Sequence, residues 1–190
     1  MIRADFDAQP KLQSSLLELR PLRREDLNGL FAAAGRPEVW AGHPAKDRYK
    51  RDVFEKYFEF LLETKSTLVV IDRQSDKIIG CSRYYVAPDQ PDSMSIGFTF
   101  LNHAYWGGGT NFEVKRLMLD HAFQTFSEVW FHIAPTNIRS QKATAKLGAE
   151  HVYNATLNLS GTPSEGMCFR LSKEAWNRAL KDKEVQRATG

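Results

Sequence analysis

The sequence is short of cysteine, of long apolar runs and of net charge, and each shortage excludes a class of protein. Its two cysteines, Cys81 and Cys168, are too few for the disulfide framework of a small secreted domain. No apolar stretch approaches the ~20 residues that cross a bilayer, and the N-terminal residues contain no apolar core of an export signal. We therefore expect a cytoplasmic protein that does not associate with membranes.

Metal and nucleic-acid partners are not expected either. The five histidines are dispersed, and none stands with another histidine, a cysteine or an acid at metal-ligand spacing, so no metal is predicted. The 26 basic and 23 acidic residues leave a net charge of +3, and the two signs alternate along the chain. Because a nucleic-acid-binding surface needs clustered positive charge, that function ranks far behind the others considered.

The length of the chain sets its domain organisation. We expect 190 residues to form one domain over residues 1–190, with a core of about 16–180 and flexible ends at 1–15 and 182–190. The composition, with 42% hydrophobic and 26% charged residues, is that of a globular protein with a packed core. Homo-oligomerisation is left open.

The apolar pattern predicts strands and helices in an order that defines the fold class. The predicted strands are 16–22, 67–71, 78–86, 94–101, 129–133, 151–159 and 167–171, and the predicted helices are 24–34, 50–63, about fourteen residues after residue 109, 137–147 and a last one from 173. Short connections favour antiparallel neighbours, whereas the strand–helix–strand unit at 94–133 requires a right-handed parallel crossover. We expect an α/β (α+β) domain with a mixed, mostly antiparallel central sheet of about seven strands and helices on both faces.

The most informative segment is Tyr105-Trp106-Gly107-Gly108-Gly109-Thr110-Asn111, the glycine turn, which lies between a predicted strand and a predicted helix. Glycines allow close approach to a ligand, and the first N–H groups of a helix lack intrahelical partners, so the segment suits a phosphate or pyrophosphate. A flexible connection is the alternative interpretation. A P-loop and a dinucleotide-binding turn are both excluded, because Gly-Lys-Ser/Thr is missing and position 112 is Phe112.

Two motifs in sequence order carry a family resemblance. Residues 105–113 are similar to the pattern Y-W-G-K-G-Y-A-x-E, and the fixed glycine of the wider pattern Q/R-x-x-G-x-G/A falls on Gly109. Downstream, Asn137-Ile138-Arg139-Ser140 followed by Lys146-Leu147-Gly148-Ala149 is similar to N-x-x-S…K-L-G-F. Over roughly residues 16–180 the chain resembles the GCN5-related N-acetyltransferases, and within them the branch of the ribosomal-protein N-terminal acetyltransferases.

The resemblance implies acetyl-CoA as co-substrate, no metal, and direct transfer of the acetyl group to a primary amine. The implied CoA-binding residues are Phe100, Leu101, Trp106, Gly107, Gly108, Gly109, Thr110, Asn111, Asn137, Ser140 and Lys142. In this scheme the glycine turn holds the pyrophosphate and the backbone of Phe100 and Leu101 pairs with the pantetheine arm. Asn137 and Ser140 hydrogen-bond the arm. By position and charge, Arg139, Lys142 or Lys115 would meet the outer phosphates, and a place on a solvated helix face is the alternative for each of them.

The catalytic groups are less defined, because the chain departs from the family pattern. Thr144 stands where many members have a tyrosine acid, and Ser95 stands where the branch often has a carboxylate. A backbone N–H freed where the fourth strand bends away would stabilise the oxyanion. The nearest titratable candidate is His103, which we take as the catalytic candidate, with an exposed loop histidine as the alternative.

The acceptor side is predicted to include Trp40 and His43, in the loop after the first helix, and Tyr85 on the third strand. Core packing is the alternative role of these aromatic residues. The leading hypothesis is an acetyl-CoA-dependent N-acetyltransferase whose acceptor is a protein N-terminus or a small amine. The alternative, motivated by Thr144 and Ser95, is a catalytically weakened CoA-binding module that acts as a sensor or assembly partner.

Overall fold

The computed structural model describes residues 1–189, with side chains through residue 185, so the end of the segment 182–190 that was predicted to be flexible lies outside the described residues. The strands are β1 (Leu12–Gln13), β2 (Leu17–Pro21), β3 (Thr67–Asp72), β4 (Lys77–Tyr85), β5 (Met94–Leu101), β6 (Glu128–Ile133), β7 (Glu150–Asn158) and β8 (Pro163–Ser172). The helices are α1 (Leu27–Ala34), α2 (Pro37–Trp40), α3 (Arg51–Glu63), α4 (Thr110–Ala122), α5 (Ile138–Ala145) and α6 (Lys173–Thr189).

The strands form one sheet in the order β1-β2-β3-β4-β5-β6-β8-β7. Only β5 and β6 pair in parallel, and the remaining neighbours are antiparallel. Helix α4 makes the crossover between the parallel pair, as predicted from the length of the connection. The predicted mixed, mostly antiparallel sheet is therefore confirmed, with the two-residue β1 as the eighth strand.

Strand β3 shows how the sequence pattern determines the layers. Its apolar run is continuous, and its residues through Ile71 are buried, because helices cover both faces of the sheet. Leu68 and Val70 belong to the core cluster beneath α4 and α6, whereas Val69 and Ile71 belong to the cluster beneath α1 and α3. The central sheet thus lies between two apolar layers, as the predicted arrangement of helices requires.

Two segments differ from the predicted pattern. The stretch 37–47, predicted as a loop, contains the short helix α2, which has Pro37 in its first turn. Residues 1–15, predicted to be flexible, contain β1 and the buried Phe6, whose ring packs edge-on at 5.1 Å from Tyr84. A single aromatic residue in a polar segment gives no periodicity from which to infer this burial.

The parallel strands separate shortly after they begin. Strands β5 and β6 pair only through Met94 with Val129 and Ser95 with Trp130. Further along β5, Phe98 has a φ of +52°, and Phe98 and Thr99 together oppose the single residue Ser82 of β4. This arrangement is a β-bulge, which bends β5 away from β6 and opens a gap between them.

Among the described residues 1–189, no helix combines the length and the apolar composition needed to cross a membrane.

Gly80→Ala tests the close contact of β4 and β5 beside the bulge. A Cβ at residue 80 would lie 2.1 Å from the carbonyl oxygen of Phe100, so the strands must move apart. We expect the free energy of unfolding, measured by urea denaturation, to fall by about 1–3 kcal/mol. The control Gly108→Ala adds a Cβ with no atom within 4 Å and should change stability by less than about 0.5 kcal/mol. Equal stabilities of the two variants would contradict the prediction.

Candidate active site

The gap between β5 and β6 opens into a cleft of about 630 Å³. One wall comes from Ile96 to Leu101 of β5, and the other comes from residues 131–134 at the end of β6. The starts of α4 and α5 also contribute to the lining. Of the predicted CoA-binding residues, those that line the cleft are Phe100, Leu101, Trp106, Gly107, Gly109, Asn111, Asn137, Ser140 and Lys142. Gly108 and Thr110 line a smaller adjoining pocket of about 150 Å³. Their role in binding stays a prediction.

The glycine turn presents an open backbone surface at the start of α4. Gly107 and Gly109 have φ angles of +79° and +84°, a region that other residues adopt only with strain. A Cβ at residues 107, 108 or 109 would meet no atom within 4 Å, so the space beside the turn is free for a ligand. The N–H of Glu113 makes the first helical bond, to Gly109 at 3.0 Å, which leaves the three preceding N–H groups without helical partners.

Trp106 joins the two sequence motifs in space. Its indole Nε1–H donates to the carbonyl oxygen of Leu101 at 3.0 Å, which fixes the glycine turn to the end of β5. The guanidinium of Arg139, in the first turn of α5, lies 3.5 Å from the centre of the indole ring. Burial lowers the pKa of Arg139 below its ordinary value. The starts of α4 and α5 therefore meet at one end of the cleft.

Asn137 caps α5, since its side-chain oxygen accepts from the backbone N–H of Ser140 at 3.2 Å.

The charge of the cleft is strongly unbalanced. Six basic side chains line it, from Arg48, Lys115, Arg139, Lys142, Lys146 and Lys183. Among the described residues Glu165 is the only carboxylate in the lining. A concave surface with charge of one sign attracts a ligand of the opposite sign, so the cleft suits an anion with several charges. The near-neutral composition of the whole chain conceals this local excess.

Lys115 does not lie where the sequence predicted it. Instead of meeting outer phosphates, it is buried under the bulge with 5% of its surface exposed. Its ammonium donates to Thr99 Oγ1 at 2.6 Å and to Ser82 Oγ at 3.3 Å, and these two hydroxyls lie 2.7 Å apart. Burial lowers the pKa of Lys115 from 10.5 to about 7. Helical spacing could have shown that this residue shares a face with buried positions, but not which groups it contacts.

A second polar group, the Asp89 network, consists of Asp89, His132, Tyr85, Tyr153 and Cys168. The Asp89 carboxylate accepts from Tyr153 at 2.6 Å and lies 3.3 Å from His132 Nε2 and 3.7 Å from the Cys168 sulfur. The Tyr85 hydroxyl lies 2.9 Å from His132 Nδ1. Burial lowers the pKa of His132, and the Asp89 charge opposes this shift. Since Tyr85 and His132 line the cleft, the network connects the cleft to the partly buried carboxylate of Asp89.

The Asp89 network brings together potential metal ligands that are far apart in the sequence, and the expectation that no metal is bound stays a prediction. The histidines are dispersed along the chain, yet folding brings potential ligand atoms of Asp89, His132 and Cys168 within 4.8 Å of one another. These residues come from the loop after β4, from β6 and from β8, so no local spacing announces their proximity.

Two of the predicted acceptor residues lie on the surface of the cleft, and the third lies behind that surface. His43 and Tyr85 line the cleft. Trp40 is 2% exposed, donates from its indole to the carbonyl of Ala34 at 2.8 Å, and supports the cleft from behind by packing on Phe100. Burial, assisted by the charge of Arg48, lowers the pKa of His43 to about 4, so this ring is neutral at physiological pH.

His103, the catalytic candidate from the sequence, is exposed and packs against Trp106 with ring centres 4.6 Å apart. Among the described residues it is not part of the cleft lining. Its catalytic role stays a prediction.

A family model described as an acetyltransferase (GNAT) domain matches residues 17–150. Since the match spans most of the chain, the chain belongs to the GCN5-related N-acetyltransferase family, and the protein is an N-acetyltransferase. No curated protein matches this chain in sequence.

Solved structures share the fold at low sequence identity. A GCN5-related N-acetyltransferase from Brucella melitensis has a TM-score of 0.79 at 15% identity, over 93% of this chain and 85% of that chain. RimJ of Mycobacterium smegmatis, in complex with CoA-disulfide, has a TM-score of 0.64 at 16% identity, over 92% and 93%. The aminoglycoside acetyltransferase AAC(6')-Ib, in complex with coenzyme A and kanamycin, has a TM-score of 0.65 at 20% identity, over 85% and 98%. At these identities the similarity shows the fold alone.

Lys115→Met tests the electrostatic cost of the buried lysine. With a pKa of about 7 when folded and 10.5 when unfolded, Lys115 binds more protons in the unfolded chain between those pH values. The free energy of unfolding of the wild-type protein therefore includes a contribution that rises with pH across this range, on the order of 4 kcal/mol in total.

In the Lys115→Met variant this contribution is absent. The variant should be more stable than the wild-type protein at pH 7, and the difference should shrink towards pH 10. Chemical denaturation at a series of pH values measures it. Parallel pH dependences for the two proteins would contradict the expectation.

Proposed function

We propose that the protein binds acetyl-CoA in the cleft between β5 and β6 and transfers its acetyl group directly to a primary amine. The observation that carries this proposal is the convergence of three features on one cleft: the glycine turn at the start of α4, the bulge at Phe98–Thr99, and the basic lining. An anionic, extended thioester matches all three.

The cleft offers a separate environment for each part of acetyl-CoA. The N–H groups of residues 110–112 suit the pyrophosphate, because they have no helical partners and lie at the positive end of the helix dipole. Arg139, Lys142 and Lys183 add positive charge near that end. The edge of β5 at Phe100 and Leu101, which has separated from β6, suits the amides of the pantetheine arm.

The bulge would stabilise the negative charge that develops on the thioester oxygen during the reaction. Because Phe98 and Thr99 together oppose one residue of β4, backbone groups at this point leave the ladder. An N–H freed here would stabilise the oxyanion that forms when a neutral amine attacks the thioester carbonyl. The C–N bond then forms as the C–S bond breaks, and no covalent enzyme intermediate is required.

The Asp89 network supports removal of the proton from the amine. His132 is neutral near pH 7 because burial lowers its pKa, and Asp89 stabilises the imidazolium that forms when it accepts a proton. Tyr85 connects this pair to the cleft, since its hydroxyl contacts His132 Nδ1 at 2.9 Å. We assign the relay of this proton to Tyr85 and His132, because His103 lies outside the described lining.

The lining favours one class of acceptor. Since Glu165 is the only carboxylate in the described lining, the cleft offers few anionic partners to a polycation such as an aminoglycoside. Near the Asp89 network the surface is partly apolar, with Phe98, Leu157 and Leu159. These features support an acceptor with one amine on an otherwise neutral or apolar body, such as a protein N-terminus of the kind implied by the resemblance to ribosomal-protein N-terminal acetyltransferases.

Calorimetric titration with acetyl-CoA, desulfo-CoA and ATP tests the cleft. We expect both CoA compounds to bind and ATP to bind far more weakly. Gly109→Ala, which forces an alanine to a φ of +84°, should weaken acetyl-CoA binding at least tenfold by distorting the turn. Gly108→Ala is the matched comparison for backbone strain: Gly108 is not among the glycines with positive φ, so this variant should weaken binding less than Gly109→Ala.

The outcomes separate the two functions derived from the sequence. Binding followed by transfer to a peptide N-terminus would support the enzyme proposed here. Binding with no transfer across a panel of amines would favour the CoA-binding module, which Thr144 in the cleft wall already suggested. No binding of either CoA compound would contradict the proposal.

His132→Gln tests the proton relay. The variant should retain acetyl-CoA affinity but lower kcat by about 10²-fold, because the amine loses its route for the proton. In the wild-type protein kcat should fall as the pH drops below the lowered pKa of His132, and this limb should be missing in the variant. His103→Ala is the comparison. A loss of kcat in His103→Ala with normal turnover in His132→Gln would return the role to His103.

A further inference from the structure

Lys115 is a buried cation without a buried anion. Its Nζ is held by the hydroxyls of Thr99 and Ser82, and no acidic side chain of residues 1–185 forms an ion pair with it. Its neighbours along α4, Val114 and Leu117, are apolar and buried. A buried charge without a counter-ion is costly, and an apolar side chain of similar volume would be more stable. The cost calls for a functional explanation.

The groups that face Lys115 leave its charge uncompensated. From β4 it meets Ser82 and the Cys81 thiol, whose pKa burial raises, so that the thiol is neutral. From β5 it meets Thr99, and from β6 the Phe131 ring, whose centre is 5.9 Å from Nζ. Burial thus keeps the protonated and neutral forms of Lys115 close in free energy near neutral pH. A group in this state exchanges a proton readily.

Lys115 lies at the bulge itself. The bulge consists of Phe98 and Thr99 opposite Ser82, and Lys115 donates to a hydroxyl on each of its two sides. Lys115 and Thr99 both belong to the lining of the cleft. If the thioester binds at the bulge, as the proposed function requires, its reacting atoms lie beside this pair.

The reaction needs a proton at that place. When the C–S bond breaks, its electron pair stays on sulfur, and the CoA thiolate must be protonated or otherwise stabilised. Thr144 stands where the family pattern has a tyrosine acid, so this chain lacks that donor. The Asp89 network contacts the cleft through Tyr85 and His132. Since we assign these two residues to removal of the proton from the amine, another group must supply the proton to sulfur.

We propose that Lys115 and Thr99 deliver the proton to the departing CoA thiolate. As the C–S bond breaks, sulfur takes the proton of Thr99 Oγ1, and the ammonium of Lys115 replaces that proton. Lys115 is left neutral and regains a proton from water, while the proton of the attacking amine leaves through Tyr85 and His132. This inference rests on the proposed function, since it requires CoA in the cleft.

The test measures ionisation of the CoA thiol in the complex, in the absence of any acceptor. Ultraviolet absorbance of the thiolate is recorded for bound CoA across a pH series, with bound desulfo-CoA subtracted as the blank. A nearby ammonium stabilises the thiolate, so the ionisation midpoint of bound CoA should lie at least one pH unit below that of free CoA.

Variants of the pair should move this midpoint. Lys115→Met should return it towards the value of free CoA, and Thr99→Val should do so in part, while the exposed-lysine control Lys56→Met should leave it unchanged. Lys115→Arg provides a second readout, because a permanent cation still stabilises the thiolate but releases no proton. Its midpoint should stay low while its kcat falls about 10²-fold with an unaltered KM for acetyl-CoA.

The failures are distinguishable. If no CoA compound binds the wild-type protein, the proposed function fails and this inference fails with it. If CoA binds and the thiol ionises at the same pH in the wild-type protein and in Lys115→Met, the proposed function stands and this inference is wrong. Circular dichroism of each variant verifies that it is folded, and Lys115→Met is the variant expected to gain stability near pH 7.

Discussion

The separation of β5 from β6 is the constraint on which the rest of the structure depends. Two residue pairs join these parallel strands, and a bulge at Phe98–Thr99 then bends β5 away. A sheet opened in its middle would expose two rows of unpaired backbone groups. The starts of α4 and α5 meet at one end of the opening, and the apolar layers on both faces hold the remaining strands in place. The cleft is therefore a consequence of the fold and not an addition to it.

The two faces of this opening carry different chemistry. On one side Lys115 reaches the bulge from α4, and on the other Tyr85 and His132 connect the cleft to the partly buried Asp89. The two groups use opposite effects to tune protonation. Burial without an anion favours the neutral form of Lys115, whereas the Asp89 charge partly restores the affinity of His132 for protons. A reaction that moves one proton off nitrogen and one onto sulfur suits this division.

Local patterns in the sequence predicted most of the fold but less of the site. Alternation and helical spacing located the long elements, and the glycine turn indicated where a phosphate would bind, because these features depend on neighbours along the chain. The positions of Lys115, Asp89 and Cys168 depend on contacts between distant segments. Local patterns therefore predicted a different role for Lys115 and no site role for the other two. Trp40 and His43 are neighbours in sequence, yet one supports the wall and the other lines it, which only packing decides.

The indole of Trp106 has a consequence for the thermodynamics of binding. Because it is hydrogen-bonded to Leu101 and covered by the guanidinium of Arg139, it holds the glycine turn in position before any ligand arrives. Ordering a loop during association consumes part of the interaction free energy and slows the encounter. Here that conformational entropy is lost when the chain folds, so a ligand that binds as proposed would meet the turn as a preorganised surface.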